Sequence, residues 1–168
     1  MEPQPPFNGK LFYSWEQCTG DITYLYHKFS ARDLHPLCRA SSQIVGISRG
    51  GAIPAIILSH RTGIKVTTIN WSLGEYGSEA QSEDGRWCNI VSQTESVYLV
   101  DDICDSGKTL NSMLGIVRSL LGPSYADRIK VLCLWNNIAS GCNVHHYANA
   151  IDRRVDQRFI VFPWENDA

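Results

Sequence analysis

The residues with the clearest chemistry follow the apolar run 97–100, which reads VYLV and predicts a buried strand. Two adjacent carboxylates, Asp101 and Asp102, come directly after this run, and the turn 105–109 then begins a helix. Parallel α/β sheets bind ligands at the carboxyl ends of strands, and helix N-termini offer free N–H groups to phosphates. The pattern predicts a ligand with vicinal hydroxyls beside a phosphate, the carboxylates accepting from the hydroxyls or holding a metal. The residues of the phosphate-binding turn are Asp105, Ser106, Gly107, Lys108 and Thr109.

Part of this turn, Gly107-Lys108-Thr109, also occurs in the P-loop of proteins that bind nucleoside triphosphates. The P-loop motif requires another glycine five residues before Gly107, where this sequence has Asp102. A carboxylate at that point would face the triphosphate, so we reject a P-loop. A simple capping cluster for the helix would account for one aspartate of this segment and not for three.

A second candidate loop, Ser48-Arg49-Gly50-Gly51, follows a short β-branched run at 44–47. Two consecutive glycines allow backbone amides to approach an anion closely, and Arg49 adds positive charge. These properties predict a site for a diphosphate. The alternative is an ordinary turn between a strand and a helix, with an exposed arginine.

The elements that position these loops alternate between strands and helices. Apolar, β-branched runs predict buried strands at 44–47, 64–69, 97–100, 129–135 and 159–162. Helical spacing of apolar residues predicts helices at about 15–30, 54–63 and 110–121. We therefore expect an α/β fold with a mostly parallel central sheet flanked by helices. The polar stretch 71–95 is long for a connection, so we expect a flexible lid loop rather than a surface hairpin.

The composition is that of a single globular domain over 1–168. The chain has 168 residues, of which 43% are hydrophobic and 19% charged, and its net charge is −2. This balance offers no basic field to nucleic acid, and no apolar run reaches the roughly 18–20 residues of a membrane helix. Six cysteines without framework spacing, and an N-terminus without a signal-peptide pattern, indicate a reducing compartment. We expect a cytoplasmic protein.

The segment 97–109 resembles, along its whole length, the phosphoribosyl-pyrophosphate (PRPP) signature of type I phosphoribosyltransferases. The Ser-Arg-Gly-Gly loop resembles the pyrophosphate loop of the same family. The C-terminal segment 159–165 (FIVFPWE) is similar to that of xanthine-guanine enzymes and related short microbial purine enzymes. This resemblance runs from about Trp15 to Glu165. It implies the type I phosphoribosyltransferase fold, with a small base-binding hood at about 136–168.

The resemblance also implies an activity, the transfer of a phosphoribosyl group from PRPP to a purine base in nucleotide salvage. The products would be a nucleoside 5′-monophosphate and pyrophosphate. Asp101 and Asp102 would bind the ribose hydroxyls and Mg²⁺, while the turn 105–109 would hold the 5′-phosphate. Asp105 would be the catalytic residue, acting on the imidazole edge of the purine as a general base or hydrogen-bond partner.

For the leaving group, the resemblance implies that the loop 48–51 binds pyrophosphate and that its Ser48–Arg49 peptide bond is cis. The lid at 71–95 would fold over PRPP, and Arg86, its one basic residue, is the candidate to reach pyrophosphate. We expect PRPP and a nucleobase as partners, no nucleic acid and no membrane insertion. We also expect a homo-oligomer, either a dimer or a tetramer.

The base pocket is where this sequence departs from the family. In the 6-oxopurine enzymes a lysine at the end of the fourth strand recognises the exocyclic oxygen, and here Asn136 takes that position. Asparagine both donates and accepts, so the preference for a keto base over an amino base is weakened. Phe159 aligns with the aromatic residue that stacks on the base, and Trp164 is either a second wall or part of the core. Guanine, xanthine and hypoxanthine are favoured, with adenine or a pyrimidine as alternatives.

A non-catalytic regulator that senses PRPP or a nucleotide is the alternative from another functional class, because one fold serves several functions. The presence of Asp105 and Arg49 favours the enzyme. Cys104, inside the PRPP signature, is interpreted as a small apolar residue that fills space rather than as a nucleophile. His145 and His146 are interpreted as a surface pair, because adjacent residues on a strand point to opposite faces.

Overall fold

The computed structural model describes residues 9–29, 33–71 and 78–165, and for 78–84 it describes the backbone alone. The strands are β1 (Lys10–Phe12), β2 (Ser42–Ser48), β3 (Lys65–Asn70), β4 (Ser96–Cys104), β5 (Ile129–Asn137), β6 (His146–Ile151) and β7 (Phe159–Val161). The helices are α1 (Trp15–Tyr26), α2 (Pro36–Ala40), α3 (Ala52–Thr62), α4 (Ser78–Gln93), α5 (Lys108–Leu120) and α6 (Pro123–Ala126). The alternation of strands and helices confirms the predicted α/β class.

Five strands form the central sheet in the order β3-β2-β4-β5-β6, and all of its neighbouring pairs are parallel. This confirms the predicted parallel sheet. The chain passes from β2 to β3 on one side and then to β4 on the other, so the strand order reverses between β2 and β4. Ligands of open α/β sheets bind at such a reversal, at the carboxyl ends of the strands. The two predicted loops follow β2 and β4 and therefore meet there.

Two hydrophobic cores cover the two faces of the sheet. The first lies under α4 and α5 and contains Leu99 and Met113, whereas the second lies under α1 and α3 and contains Ile22 and Leu58. Both faces of the central strands are buried, which explains why these strands appear in the sequence as continuous apolar runs. In the described part of the chain, none of the helices combines the length and the apolar character needed to cross a membrane.

The prediction of a lid loop at 71–95 is wrong for residues 78–93, because these residues form the helix α4. Trp87 and Val91 are fully buried in the first core, and the Trp87 indole N–H donates to the Met113 carbonyl at 3.0 Å. Burial of an aromatic side chain this large fixes the second half of α4 against α5. Residues 72–77 of the predicted lid lie outside the described ranges.

The structure has two strands, β1 and β6, that were not predicted from the sequence. β1 and β7 pair in parallel as a separate two-stranded sheet, with Leu11 opposite Ile160. The predicted fourth strand ends two residues before Asn137, the last residue of β5. A three-residue strand such as β1 carries too short a pattern to be recognised alone, and its conformation depends on the partner strand. Of the predicted hood, β6 is an edge strand of the central sheet, and Arg153, which follows it, contacts Asp105 in the turn after β4.

Candidate functional site

The Asp-Asp pair lies within the last four residues of β4, at the ligand-binding edge of the sheet. The Asp102 backbone N–H donates to the Asp101 carboxylate at 3.0 Å, and the Ile103 N–H donates to the Asp102 carboxylate at 2.7 Å. These bonds fold each side chain back onto the backbone of the next residue. A carboxylate has about four acceptor directions, so both groups retain capacity for ligand hydroxyls.

Burial and mutual repulsion shape the electrostatics of this pair. Burial raises the pKa of Asp101 well above its ordinary range, and repulsion from the Asp102 carboxylate adds to that shift. Burial also raises the pKa of Asp102, and the negative charge of Glu165 from the hood contributes in the same direction. A cation or a set of hydroxyl donors would stabilise the ionised pair.

The Asp101 and Asp102 carboxylates could supply some, but not all, of the oxygen ligands of Mg²⁺. Among the described residues, no three or more His, Cys, Asp or Glu side chains are grouped so as to hold a metal by themselves. Mg²⁺ typically takes one or two carboxylates, keeps several waters and accepts oxygens from substrate phosphates. Asp101 and Asp102 match that pattern as a pair.

The turn after β4 is built around Gly107, which has a left-handed backbone with φ of +72°. A Cβ at this position would lie 2.8 Å from the Cβ of Cys142, so both conformation and space require glycine. α5 begins at the next residue without a side-chain cap, which leaves first-turn amides for an anion. Ser106 is exposed beside them. Cys104 is buried, and burial raises the pKa of its thiol to about 12, which favours the predicted space-filling role.

The Ser-Arg-Gly-Gly loop joins β2 to α3 and contacts the Asp-Asp pair. Its Ser48–Arg49 peptide bond is cis, as the resemblance implied. Gly50 lies directly against the Asp102 carboxylate, so a Cβ there would overlap the carboxyl group. A Cβ on Gly51 would lie 2.2 Å from the carbonyl oxygen of Val100. The structure therefore brings the two predicted loops together, and neither glycine leaves space for a side chain.

Asp105 is paired with Arg153, a residue that sequence analysis missed. The Nε atom of Arg153 donates to Oδ1 of Asp105 at 2.8 Å, and Nη2 lies 3.4 Å from Oδ2. The side-chain amide of Asn137 donates to the Asp105 carbonyl at 2.8 Å. Arg153 follows β6 and stands 48 positions from Asp105 in the chain, so no local motif could have identified it.

The structure places the three predicted base-binding residues in different surroundings. Asn136 is buried at the end of β5, opposite Cys104, and its Oδ1 atom has no hydrogen-bond partner among the described residues. Buried polar atoms usually have a partner, so this position is a candidate for a contact that the described residues do not supply. Phe159 is 59% exposed on β7, as stacking on a base requires. Trp164 stacks on Phe162 with ring centroids 5.1 Å apart, which places it in the packing of the second core.

Arg86 is the predicted site residue that the structure does not bring to the other loops. It lies on α4, and its Nη2 atom donates to the hydroxyl of Thr67 in the middle of β3 at 3.1 Å. β3 continues for three residues to Asn70, which corresponds to roughly 10 Å along a strand. The contact of Arg86 with pyrophosphate stays a prediction.

Comparison with known proteins identifies the family. A profile of the phosphoribosyl transferase domain matches residues 40–167, which include both candidate loops. The chain belongs to this family. The phosphoribosyltransferase is 29% identical over 171 residues to the xanthine-guanine phosphoribosyltransferase of Cereibacter sphaeroides, covering 98% of this chain and 92% of that protein. The xanthine-guanine phosphoribosyltransferase of Gluconobacter oxydans is 29% identical over 126 residues, covering 73% of this chain and 67% of that one.

Solved structures extend the similarity to the fold of the phosphoribosyltransferase. The purine phosphoribosyltransferase from Pyrococcus horikoshii superposes with a TM-score of 0.62 and 26% identity, covering 95% of each chain. The predicted type I phosphoribosyltransferase fold is thereby confirmed. The match includes the C-terminal strands as well as the central sheet, because nearly the whole chain is covered.

Proposed function

We propose that this phosphoribosyltransferase transfers the phosphoribosyl group of PRPP to a 6-oxopurine, with guanine, xanthine or hypoxanthine as the base. The observation that carries the proposal is the contact between Gly50 and the Asp102 carboxylate. It joins acceptors for ribose hydroxyls to a loop whose glycines expose amides to a diphosphate. Two relatives are named as xanthine-guanine enzymes, which supports a purine as the acceptor.

In the proposed reaction, the bond between C1 of the ribose and a pyrophosphate oxygen breaks, and a bond from C1 to a ring nitrogen of the base forms. Negative charge grows on the leaving pyrophosphate, where Arg49 and the amides of the glycine loop stabilise it. Asp101 and Asp102 hold the ribose hydroxyls and so fix the sugar for attack. Asp105 accepts a hydrogen bond or the proton from the imidazole edge of the purine.

Mg²⁺ belongs to the proposal as a cofactor that Asp101 and Asp102 would hold. Its support is the pair of half-buried carboxylates, whose pKa values are raised by desolvation and by nearby negative charge. When bound, the cation would neutralise negative charge on the pyrophosphate. A cytoplasmic location and a homo-oligomer stay predictions.

The base is proposed to lie between Phe159 and Asn136. Phe159 offers an exposed ring, and stacking does not depend on which base is present. The Asn136 amide can present its oxygen or its NH₂ group to the base, and its Oδ1 atom is unpaired among the described residues. This observation favours adenine as a second substrate, because an amide can accept from an amino group where a lysine cannot.

The decisive experiment incubates the purified protein with PRPP, Mg²⁺ and a panel of guanine, xanthine, hypoxanthine, adenine and orotate. Mass spectrometry then detects each nucleotide product. We expect product from at least one 6-oxopurine, and none from the Asp101→Asn, Asp102→Asn double variant. Tight PRPP binding with no product from any base would instead indicate a regulator that senses PRPP.

A further inference from the structure

An ion pair connects the PRPP-binding turn to the hood. Arg153 approaches Asp105 side-on, with the Nε–Oδ1 distance at 2.8 Å and the Nη2–Oδ2 distance at 3.4 Å. The Arg153 side chain is only 20% exposed, whereas that of Asp105 is 51% exposed. A two-point contact fixes the plane of a carboxylate as well as its distance. It also leaves an acceptor direction open on each oxygen, on the exposed side of Asp105.

Both partners of the ion pair are held by a frame of backbone contacts. Asn137 is buried, its Nδ2 donates to the Asp105 carbonyl at 2.8 Å, and its Oδ1 accepts from the Arg153 backbone N–H at 3.1 Å. The Nη1 atom of Arg153 donates to the carbonyl of Arg158, next to Phe159. An exposed ion pair contributes little when two long side chains must be ordered for it. Here the frame has already ordered the arginine.

The frame also holds the positive charge of Arg153 next to the end of β5, whose last two residues are neutral asparagines. Asn136, which the sequence analysis aligned with the lysine of the 6-oxopurine enzymes, is neutral. Arg153 brings a positive charge to Asp105 from the turn after β6 instead.

We infer that Arg153 is a positioning residue for Asp105, and that it aims the open side of the Asp105 carboxylate at the ring N–H of the purine. The inference rests on the proposed function, and it identifies a residue that acts through Asp105. Removing the arginine leaves the carboxylate free to rotate while the PRPP-binding loops stay in place. A misplaced catalytic group of this kind lowers the rate of the chemical step more than it lowers substrate binding.

The test compares variants of two adjacent arginines. We expect Arg153→Gln to lower kcat about 100-fold while the KM for PRPP changes by less than about twofold. Arg153→Lys should recover about tenfold of this loss, because lysine keeps the charge but not the two-point contact. Arg154→Gln is the matched control, because Arg154 is exposed and pairs with Asp152 on the surface. Its kcat should equal that of the wild type.

A double-variant cycle separates positioning from support of the hood. In an Asp105→Asn background, Arg153→Gln should lower kcat by less than about threefold, because the group it positions is already gone. Additive losses would overturn the inference. A parallel loss of kcat, PRPP affinity and melting temperature that Arg153→Lys does not rescue would also overturn the inference. It would show that Arg153 only stabilises the folded structure.

The failure of this inference differs from failure of the proposed function. An active wild type with an equally active Arg153→Gln variant refutes the positioning role alone. A wild type that yields no nucleotide from any base refutes the proposed function, and the positioning role with it.

Discussion

Replacing the Asp-Asp pair by amides should change stability and ligand binding in opposite directions. The double variant Asp101→Asn, Asp102→Asn removes two negative charges and keeps side chains of nearly the same shape. The amide oxygens can still accept the backbone N–H bonds that Asp102 and Ile103 donate to the carboxylates. The amide nitrogens can also donate across the pair, so repulsion is replaced by attraction.

The expected gain in stability follows from the sign of the pKa shifts. Burial and negative neighbours raise the pKa of both carboxyls in the folded protein, so ionisation disfavours the folded state. The penalty is absent below the unfolded pKa of about 3.9, and it grows as the pH rises through the raised folded values. Relief of a buried, poorly satisfied group is typically worth about 1–3 kcal/mol. At about 2–4 °C per kcal/mol, the ligand-free variant should melt about 2–12 °C above the wild type at pH 7.

The expected loss in binding follows from the removed acceptors. Charge-assisted hydrogen bonds contribute about 1.5–3 kcal/mol each, so two of them contribute about 3–6 kcal/mol. PRPP should therefore bind about 10²–10⁴-fold more weakly to the double variant.

Scanning calorimetry between pH 3 and pH 8, together with titration calorimetry of PRPP in the presence of Mg²⁺, measures both effects. The exposed Asp127→Asn variant is the control, and it should change neither quantity. The melting difference should vanish near pH 3, where the wild-type carboxyls are protonated. A double variant that melts below the wild type and binds PRPP normally would show that the pair supports the fold rather than the ligand.

Three further predictions concern single positions. Gly50→Ala should weaken PRPP binding at least about tenfold in titration calorimetry, because a Cβ overlaps the Asp102 carboxylate; Gly115→Ala, where a Cβ meets no atom within 4 Å, should leave binding unchanged. Trp87→Ala should lower the free energy of unfolding in urea by about 3–5 kcal/mol, whereas a loss below about 1 kcal/mol would mean that α4 is only loosely attached. Asn136→Lys should increase discrimination against adenine about ten- to a hundredfold in a two-base competition assay, because an ammonium cannot accept from the amino group. A wild type that already excludes adenine by several thousandfold, with no change in the lysine variant, would contradict that role.

Local patterns in the sequence were sufficient to predict the two candidate loops after β2 and β4 and most of the central elements. α5 was predicted from Leu110, Met113, Leu114 and Val117, which are spaced for one helix face and are buried in the structure. The capping box at the start of α1 is equally local, because it is formed within the four consecutive residues from Ser14 to Gln17. These signals are local because strand burial, turn conformation and helix capping each depend on a few neighbours in the chain.

α4 shows how tertiary packing can outweigh composition. The segment 78–93 is polar overall and has low mean hydropathy, and that composition favoured a loop. Its helix is stabilised through Trp87 and Val91, which are both fully buried against the sheet and α5. Whether two apolar residues find a core depends on the elements opposite them, and those elements come from distant parts of the sequence.

The partner of Asp105 was decided by the tertiary structure alone. The run 152–158 contains three arginines and two aspartates, and charge by itself does not assign their partners. Arg154 and Arg158 each pair with the aspartate two residues before them, at 2.7 and 2.6 Å. Arg153 instead reaches Asp105 in the turn after β4, because Asn137 holds both its backbone and that of Asp105. An ion pair forms between the groups that the packed backbone brings within about 4 Å, and that distance exists only once β5, β6 and the turn after β4 have come together.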